Sequence, residues 1–174
     1  GEKTDDYYRD FTSPNLAVGD TVYYSFLMRL NRPLNAFSSG YFRIYNTAAS
    51  TASGVSVGFG TAAADFSTMG FSINNRNQNW SGTSLKTPQT YTTADTTYLV
   101  VASYTRGSNA TNGSTQLWIN PDSATFGTAV PPAATLSMGS YASVGTWNRL
   151  TFISNCSLGG IPNWQIDEVR VGTN

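Results

Sequence analysis

The sequence predicts an all-β chain in which two antiparallel sheets pack face to face as a β-sandwich, or jelly roll. Three observations predict it. Apolar and polar residues alternate with period two through short stretches, and no apolar stripe of helical period runs through any long window. The gaps between the stretches are rich in Gly, Ser, Thr, Asn and Pro, the composition of turns. About eight or more such strands, with no alternating βα pattern, make a sandwich rather than a parallel sheet. The 174 residues form one domain by length, 1–174, with enough chain to bury a core without staples.

The clearest element is Thr21–Leu30, where Val22, Tyr24, Phe26, Met28 and Leu30 fall on one face and Tyr23, Ser25 and Arg29 on the other. One face lies on a core and the other is wet. Val18-Gly19-Asp20 is a turn signal before it, and Pro33 removes a ladder donor after it. Further strands are expected at 40–46, 54–59, 69–74, 98–105, 115–120, 147–155 and 165–171. The stretches 74–79 and 107–114 read as hairpin loops, the second as a surface tip. Pro121 is suited to open a short helical turn over 121–124, and 87–97 reads as an irregular connection before the next strand. No internal repeat is visible.

Composition excludes several classes. Ten basic and ten acidic residues cancel, charged residues make up only 11% of the chain, and Lys3 and Lys86 are its only lysines. The electrostatic footprint of a nucleic-acid or anionic-membrane binder is missing. There is no histidine, which removes the commonest general base and transition-metal ligand. Cys156 stands alone in an apolar run, so it forms no intrachain disulfide and reads as a small core residue. No apolar run is long enough for a membrane-spanning helix, and Gly1-Glu2-Lys3-Thr4 reads as a mature or trimmed end rather than a signal peptide. The Thr/Ser/Asn-rich, lysine-poor composition suggests a secreted or cell-surface protein. Sequons at Asn79, Asn109, Asn112 and Asn155 carry little weight in so Asn- and Thr-rich a chain.

Two phrases carry a resemblance. Trp164-Gln165-Ile166-Asp167-Glu168-Val169-Arg170-Val171-Gly172-Thr173 at the end, with Leu117-Trp118-Ile119-Asn120-Pro121-Asp122 upstream, is similar to the closing strands of concanavalin A-like lectin/glucanase domains of the laminin-G-like kind found in secreted bacterial proteins. The resemblance covers about Thr21 to Thr173 and implies a concanavalin A-like sandwich. It implies no single function, because the fold hosts lectins, polysaccharide-binding modules, glycanases and adhesion domains. Such domains usually begin with another strand or two, and here only Tyr7-Tyr8-Arg9-Asp10-Phe11 precedes Thr21–Leu30, so a trimmed chain with an incomplete sheet edge is expected.

Glycanases of this family carry carboxylates on alternate strand residues, in a Glu-x-Asp-x-x-Glu phrase that spans the scissile bond. That phrase is absent, and Glu2 and Glu168 are the only glutamates. Alternation sends Asp167 and Glu168 to opposite faces, where beside Arg170 they are expected to hold a sheet rim. A pair drawn from two strands, such as Asp65 with Asp167, stays open. Asp5, Asp6, Asp10 and Asp20 could join carbonyl oxygens around a structural calcium ion of the sort such sandwiches often carry.

Aromatic and amide side chains suit a neutral sugar, whose C–H face meets a ring while its hydroxyls take hydrogen bonds. Asn77, Asn79 and Trp80 supply that mixture in one loop, with Trp80 the tryptophan least suited to a core. Trp118, between Leu117 and Ile119, is expected in the core or between the sheets, and Trp147 and Trp164 start strands. Tyr41, Arg43 and Tyr45 share the face opposite Phe42 and Ile44, and Tyr23 and Arg29 are expected to extend this stripe on an adjacent strand. The expected function is a non-catalytic carbohydrate-binding module for a neutral or weakly charged polysaccharide, with no catalytic residues and no enzyme activity. A self-associating structural or adhesion domain of a cell-surface layer or filament is the alternative, and a divergent glycanase or lyase is a third reading.

Overall fold

The computed structural model describes residues 3–12, 15–30, 38–45, 54–60, 70–74, 84–86, 95–109, 112–128, 130–141, 146–156 and 164–173. Eleven strands are present among them: β1 (Lys3–Asp10), β2 (Thr21–Leu30), β3 (Ser38–Tyr45), β4 (Gly54–Gly60), β5 (Gly70–Asn74), β6 (Ser84–Lys86), β7 (Thr96–Thr105), β8 (Gly113–Ile119), β9 (Leu136–Tyr141), β10 (Arg149–Cys156) and β11 (Trp164–Thr173). They form a six-stranded sheet, β1-β10-β3-β4-β5-β6, and a five-stranded sheet, β11-β2-β7-β8-β9. Every described pairing is antiparallel. The all-β sandwich expected from the alternation is the fold observed.

Alternation produces the core directly. In β2, Val22, Tyr24, Phe26 and Met28 are buried while the residues between them are less so. From the facing sheet, β3 contributes Phe42 and Ile44, and the Phe42 ring lies 4.7 Å from Phe26 and 5.3 Å from Tyr24. Offset rings at such distances add to the burial of their area. Edge-to-face pairs Phe71–Tyr98 at 5.4 Å and Tyr104–Trp147 at 4.7 Å close the core toward either end.

Turns hold the register. Before β2, Gly19 adopts φ 90°, the Asp20 carboxylate accepts a hydrogen bond from the Ala17 amide at 2.6 Å, and Arg106 N–H donates to the Asp20 carbonyl at 2.9 Å. After Pro121 the expected helical turn is a 3₁₀ turn at Ser123–Thr125, starting two residues later than expected, because Asp122 serves as the N-cap and accepts from Ala124 N–H at 2.9 Å.

Several expectations are corrected. β1 forms the edge of the six-stranded sheet, although only a short segment was read ahead of β2; β6 and β9 were also missed. β7 begins at Thr96, inside the stretch read as an irregular connection. In β11 a bulge between Asp167 and Arg170, with Glu168 at φ 54°, breaks the simple alternation expected of the Asp167-Glu168 pair. No helix among the described residues is long and apolar enough to cross a membrane.

Candidate functional site

The outer face of the six-stranded sheet gathers the chemistry. Because Leu150 and Phe152 pack against the core, Arg149 and Thr151 take the other face of β10. The ladder then sets three rows. Asp10, Arg149 and Tyr45 are register partners, as are Tyr8, Thr151 and Arg43, and then Asp6, Ile153 and Tyr41. Neighbouring strands lie about 4.8 Å apart, so β1, β10 and β3 set these rows across roughly 10 Å, the scale of one or two sugar rings.

Asp10 and Arg149 of the first row are locked together, with Tyr8 reaching in from the second. Arg149 donates from Nε to Asp10 Oδ1 at 2.5 Å and from Nη2 to Oδ2 at 2.8 Å, and its Cζ sits 4.1 Å from the centre of the Tyr8 ring. A bidentate guanidinium–carboxylate pair stacked on an aromatic face has little freedom to reorient. The hydrogen bond from Arg149 holds the Asp10 carboxyl below its ordinary value of 3.8; desolvation opposes this and the Arg149 charge adds to it. Asp10 is thus an ionised acceptor, Arg149 a fixed donor and Tyr8, 62% exposed, an available ring. One row back, Thr151 is only 4% exposed and its Oγ1 has no hydrogen-bond partner among the described residues.

The other residues singled out in the sequence fall in different places. Tyr41, Arg43 and Tyr45 occupy β3 at the positions that alternate with buried Phe42 and Ile44, but their side chains lie outside the described residues, as do Asn77, Asn79, Trp80 and Asp65 altogether. Tyr23 and Arg29 do not extend the stripe. They belong to β2, in the five-stranded sheet, whereas β3 lies in the six-stranded one. There Tyr23 stacks on Trp118 at 6.4 Å and Arg29 pairs with Asp95 at 3.3 Å. Trp118 is buried as expected but not between the sheets. Leu117 and Ile119 take the inward positions, so Trp118 packs on the outer face and donates from Nε1 to the Pro132 carbonyl at 2.9 Å. Tyr8 and Arg149, the best-described members of the site, were not singled out from the sequence.

The carboxylates considered for metal binding are already engaged where they are described. Asp10 holds Arg149 and Asp20 holds its turn, and among the described residues no group of three or more Asp, Glu or Cys side chains comes together. Glu168 pairs with Arg170 at 2.7 Å on the rim of the five-stranded sheet, as expected, and Asp167 accepts from the Glu168 amide at 2.8 Å.

No protein-family model matches the sequence, and no curated protein sequence does either. Solved structures do match. An alginate lyase in complex with an alginate trisaccharide aligns over 97% of this chain and 75% of its own, with a TM-score of 0.55 and 13% identity. Congerin II bound to lactose aligns over 97% of this chain and 100% of its own, with a TM-score of 0.51 and 10% identity. The fold is a concanavalin A-like jelly roll. A putative β-glucanase from Mycobacterium abscessus shares it, over 92% of this chain and 66% of its own, with a TM-score of 0.51 and 12% identity. The lyase and the glucanase correct one expectation, that the chain is no enzyme. That expectation rested on a missing carboxylate phrase. Enzymes are built on this fold, and a site assembled across strands, as the Tyr8–Asp10–Arg149 cluster of this concanavalin A-like sandwich is, leaves no phrase in sequence.

Proposed function

We propose that this concanavalin A-like sandwich takes a polysaccharide across the outer face of its six-stranded sheet. The observation that carries the reading is the cluster in which Arg149 bridges Asp10 and the Tyr8 ring next to position 45. Such a cluster offers a sugar the three things it needs: an aromatic face for its C–H side, an acceptor and a donor for its hydroxyls. Because Asp10 and Arg149 offset one another, the cluster favours a neutral or weakly charged chain over a polyanion. Structural neighbours bound to an alginate trisaccharide and to lactose support a glycan ligand on this fold. A polysaccharide ligand also fits a secreted or surface-exposed protein.

Affinity electrophoresis against neutral glucans, xylan and alginate tests the reading. Retention by one polysaccharide, lost in Tyr8→Ala and in Tyr45→Ala while both variants melt like the parent, is the expected result. Retention by none of them, or retention that both variants preserve, would sink it. The same mixtures, assayed for new reducing ends and for unsaturated sugars absorbing in the ultraviolet, show whether the bound chain is also cut, and by hydrolysis or elimination. With cutting, Arg149→Ala is expected to lower the rate as well as retention, since Arg149 is the fixed cation of the face.

A further inference from the structure

On the side of the sandwich formed by the edge strands β1 and β11 the two sheets part. Phe11, Leu16, Ile44, Leu150, Val169 and Val171 wall a cavity of 640 Å³ that opens there to solvent. Val169 and Val171 are 44% and 42% exposed although Val171 is paired with core residue Tyr24. Inside, Trp147 is only 2% exposed and its indole Nε1 has no hydrogen-bond partner among the described residues. At the opening stands Arg9, which forms no ion pair among the described residues. A buried N–H without an acceptor is unfavourable, and the exposed Arg9 cation beside the apolar hollow is placed to hold an anion, so one molecule can engage both.

We propose that this cavity binds an anionic amphiphile, with an apolar chain between the sheets and a carboxylate or similar head at Arg9. The charge fits the head, and the apolar lining fits a tail of about twelve carbons, whose removal from water favours binding. An added β-strand fits less well on β11, since the bulge at Glu168 and the charged Glu168–Arg170 pair interrupt its free edge. The site is separate from the Tyr8–Asp10–Arg149 cluster and does not rest on the polysaccharide reading.

Isothermal titration of the whole chain with dodecanoate and, separately, with dodecanol tests the proposal. Saturable binding of dodecanoate is expected. It should weaken at least about tenfold in Val171→Trp, which fills the hollow, and about tenfold in Arg9→Ala, where dodecanol binding stays unchanged, as loss of one charged contact predicts. Trp147→Phe, which keeps the ring and removes the N–H, is a second variant should Val171→Trp fail to fold, and it should weaken dodecanoate. Three results overturn the proposal: no saturable binding by folded protein, equal binding by the parent and all of the folded variants, or a dimer in light scattering that dodecanoate fails to dissociate, which would mean a second copy fills the seam.

Discussion

Phe42 and Tyr8 are both aromatic residues of the six-stranded sheet, yet their substitutions should behave in opposite ways. Phe42 is 0% exposed and stacks on Phe26 and Tyr24, so Phe42→Ala leaves a cavity on both sides of the core and is expected to cost about 3–5 kcal/mol. Tyr8→Ala removes an exposed ring and should stay within about 1 kcal/mol of the parent. Urea unfolding checks this, with the Phe42 midpoint falling at unchanged slope. Asp10 gives a second prediction. Its folded pKa lies below 3.8 because Arg149 hydrogen-bonds to the ionised form, so the pair stabilises the fold above that value and the contribution disappears as pH falls through the lower folded value. The difference in melting temperature between parent and Asp10→Asn should therefore be present at about pH 7 and vanish at about pH 2. A difference that persists in acid would mean the asparagine acts through packing.

At the scale of elements, two backbone positions depend on residue type. In the β7–β8 hairpin, a Cβ on Gly107 would run into the Asn112 side chain and backbone, and Asn112 itself organises the tip by accepting from Asn109 N–H and donating to Ser108. Gly107→Ala should destabilise by more than about 1 kcal/mol, because the obstructing atoms include main chain that cannot swing aside. Glu168, at φ 54°, is a non-glycine residue in left-handed conformation inside a strand. Glycine there should be at least as stable as the parent, because it relieves the left-handed strain that Glu168 already bears and the exposed ion pair with Arg170 contributes little, whereas β-branched valine should be less stable than the parent by about 1 kcal/mol. Thermal melts of the two variants check the order, and valine at least as stable as glycine would contradict the strain. The same elements show what the sequence reveals. β2, β3, β7 and β8 were legible because one side of each is buried and burial writes period two into the residues. β1 was not, since as an edge strand it leaves Tyr7 70% and Tyr8 62% exposed, and β6 has three residues, too few for a period. Alternation also says which face a residue takes but not which sheet its strand joins. Tyr41, Arg43 and Tyr45 could be grouped correctly on one strand, whereas Tyr23 was assigned to the wrong sheet, and Arg149 was separated from Asp10 by 139 positions that only the fold brings together.

For the whole molecule, the sheet orders fix where stability resides. β2 and β7 run through the middle of the five-stranded sheet, paired over ten residues from Thr21 with Thr105 to Leu30 with Thr96, and their inward residues Phe26, Met28, Val100 and Ala102 are 0% exposed. β11 has one neighbour, a bulge and half-exposed inward valines, and β1 has one neighbour and an exposed inward tyrosine. The sandwich therefore closes at the side where β5 and β6 meet β8 and β9, and loosens at the side of the 640 Å³ cavity. Local opening follows covered apolar area and the number of laddered neighbours, so the edges should open without the rest of the fold. Amide hydrogen exchange is expected to be slowest in β2 and β7, where exchange requires global unfolding, and faster in β1 and in the half of β11 beyond its bulge. Dodecanoate should slow exchange in those two edges and leave β7 unaltered, because only the edges border its cavity. If β1 and the end of β11 already exchange as slowly as β7 without any ligand, the seam is closed in solution, and neither the loose edge nor the amphiphile site survives.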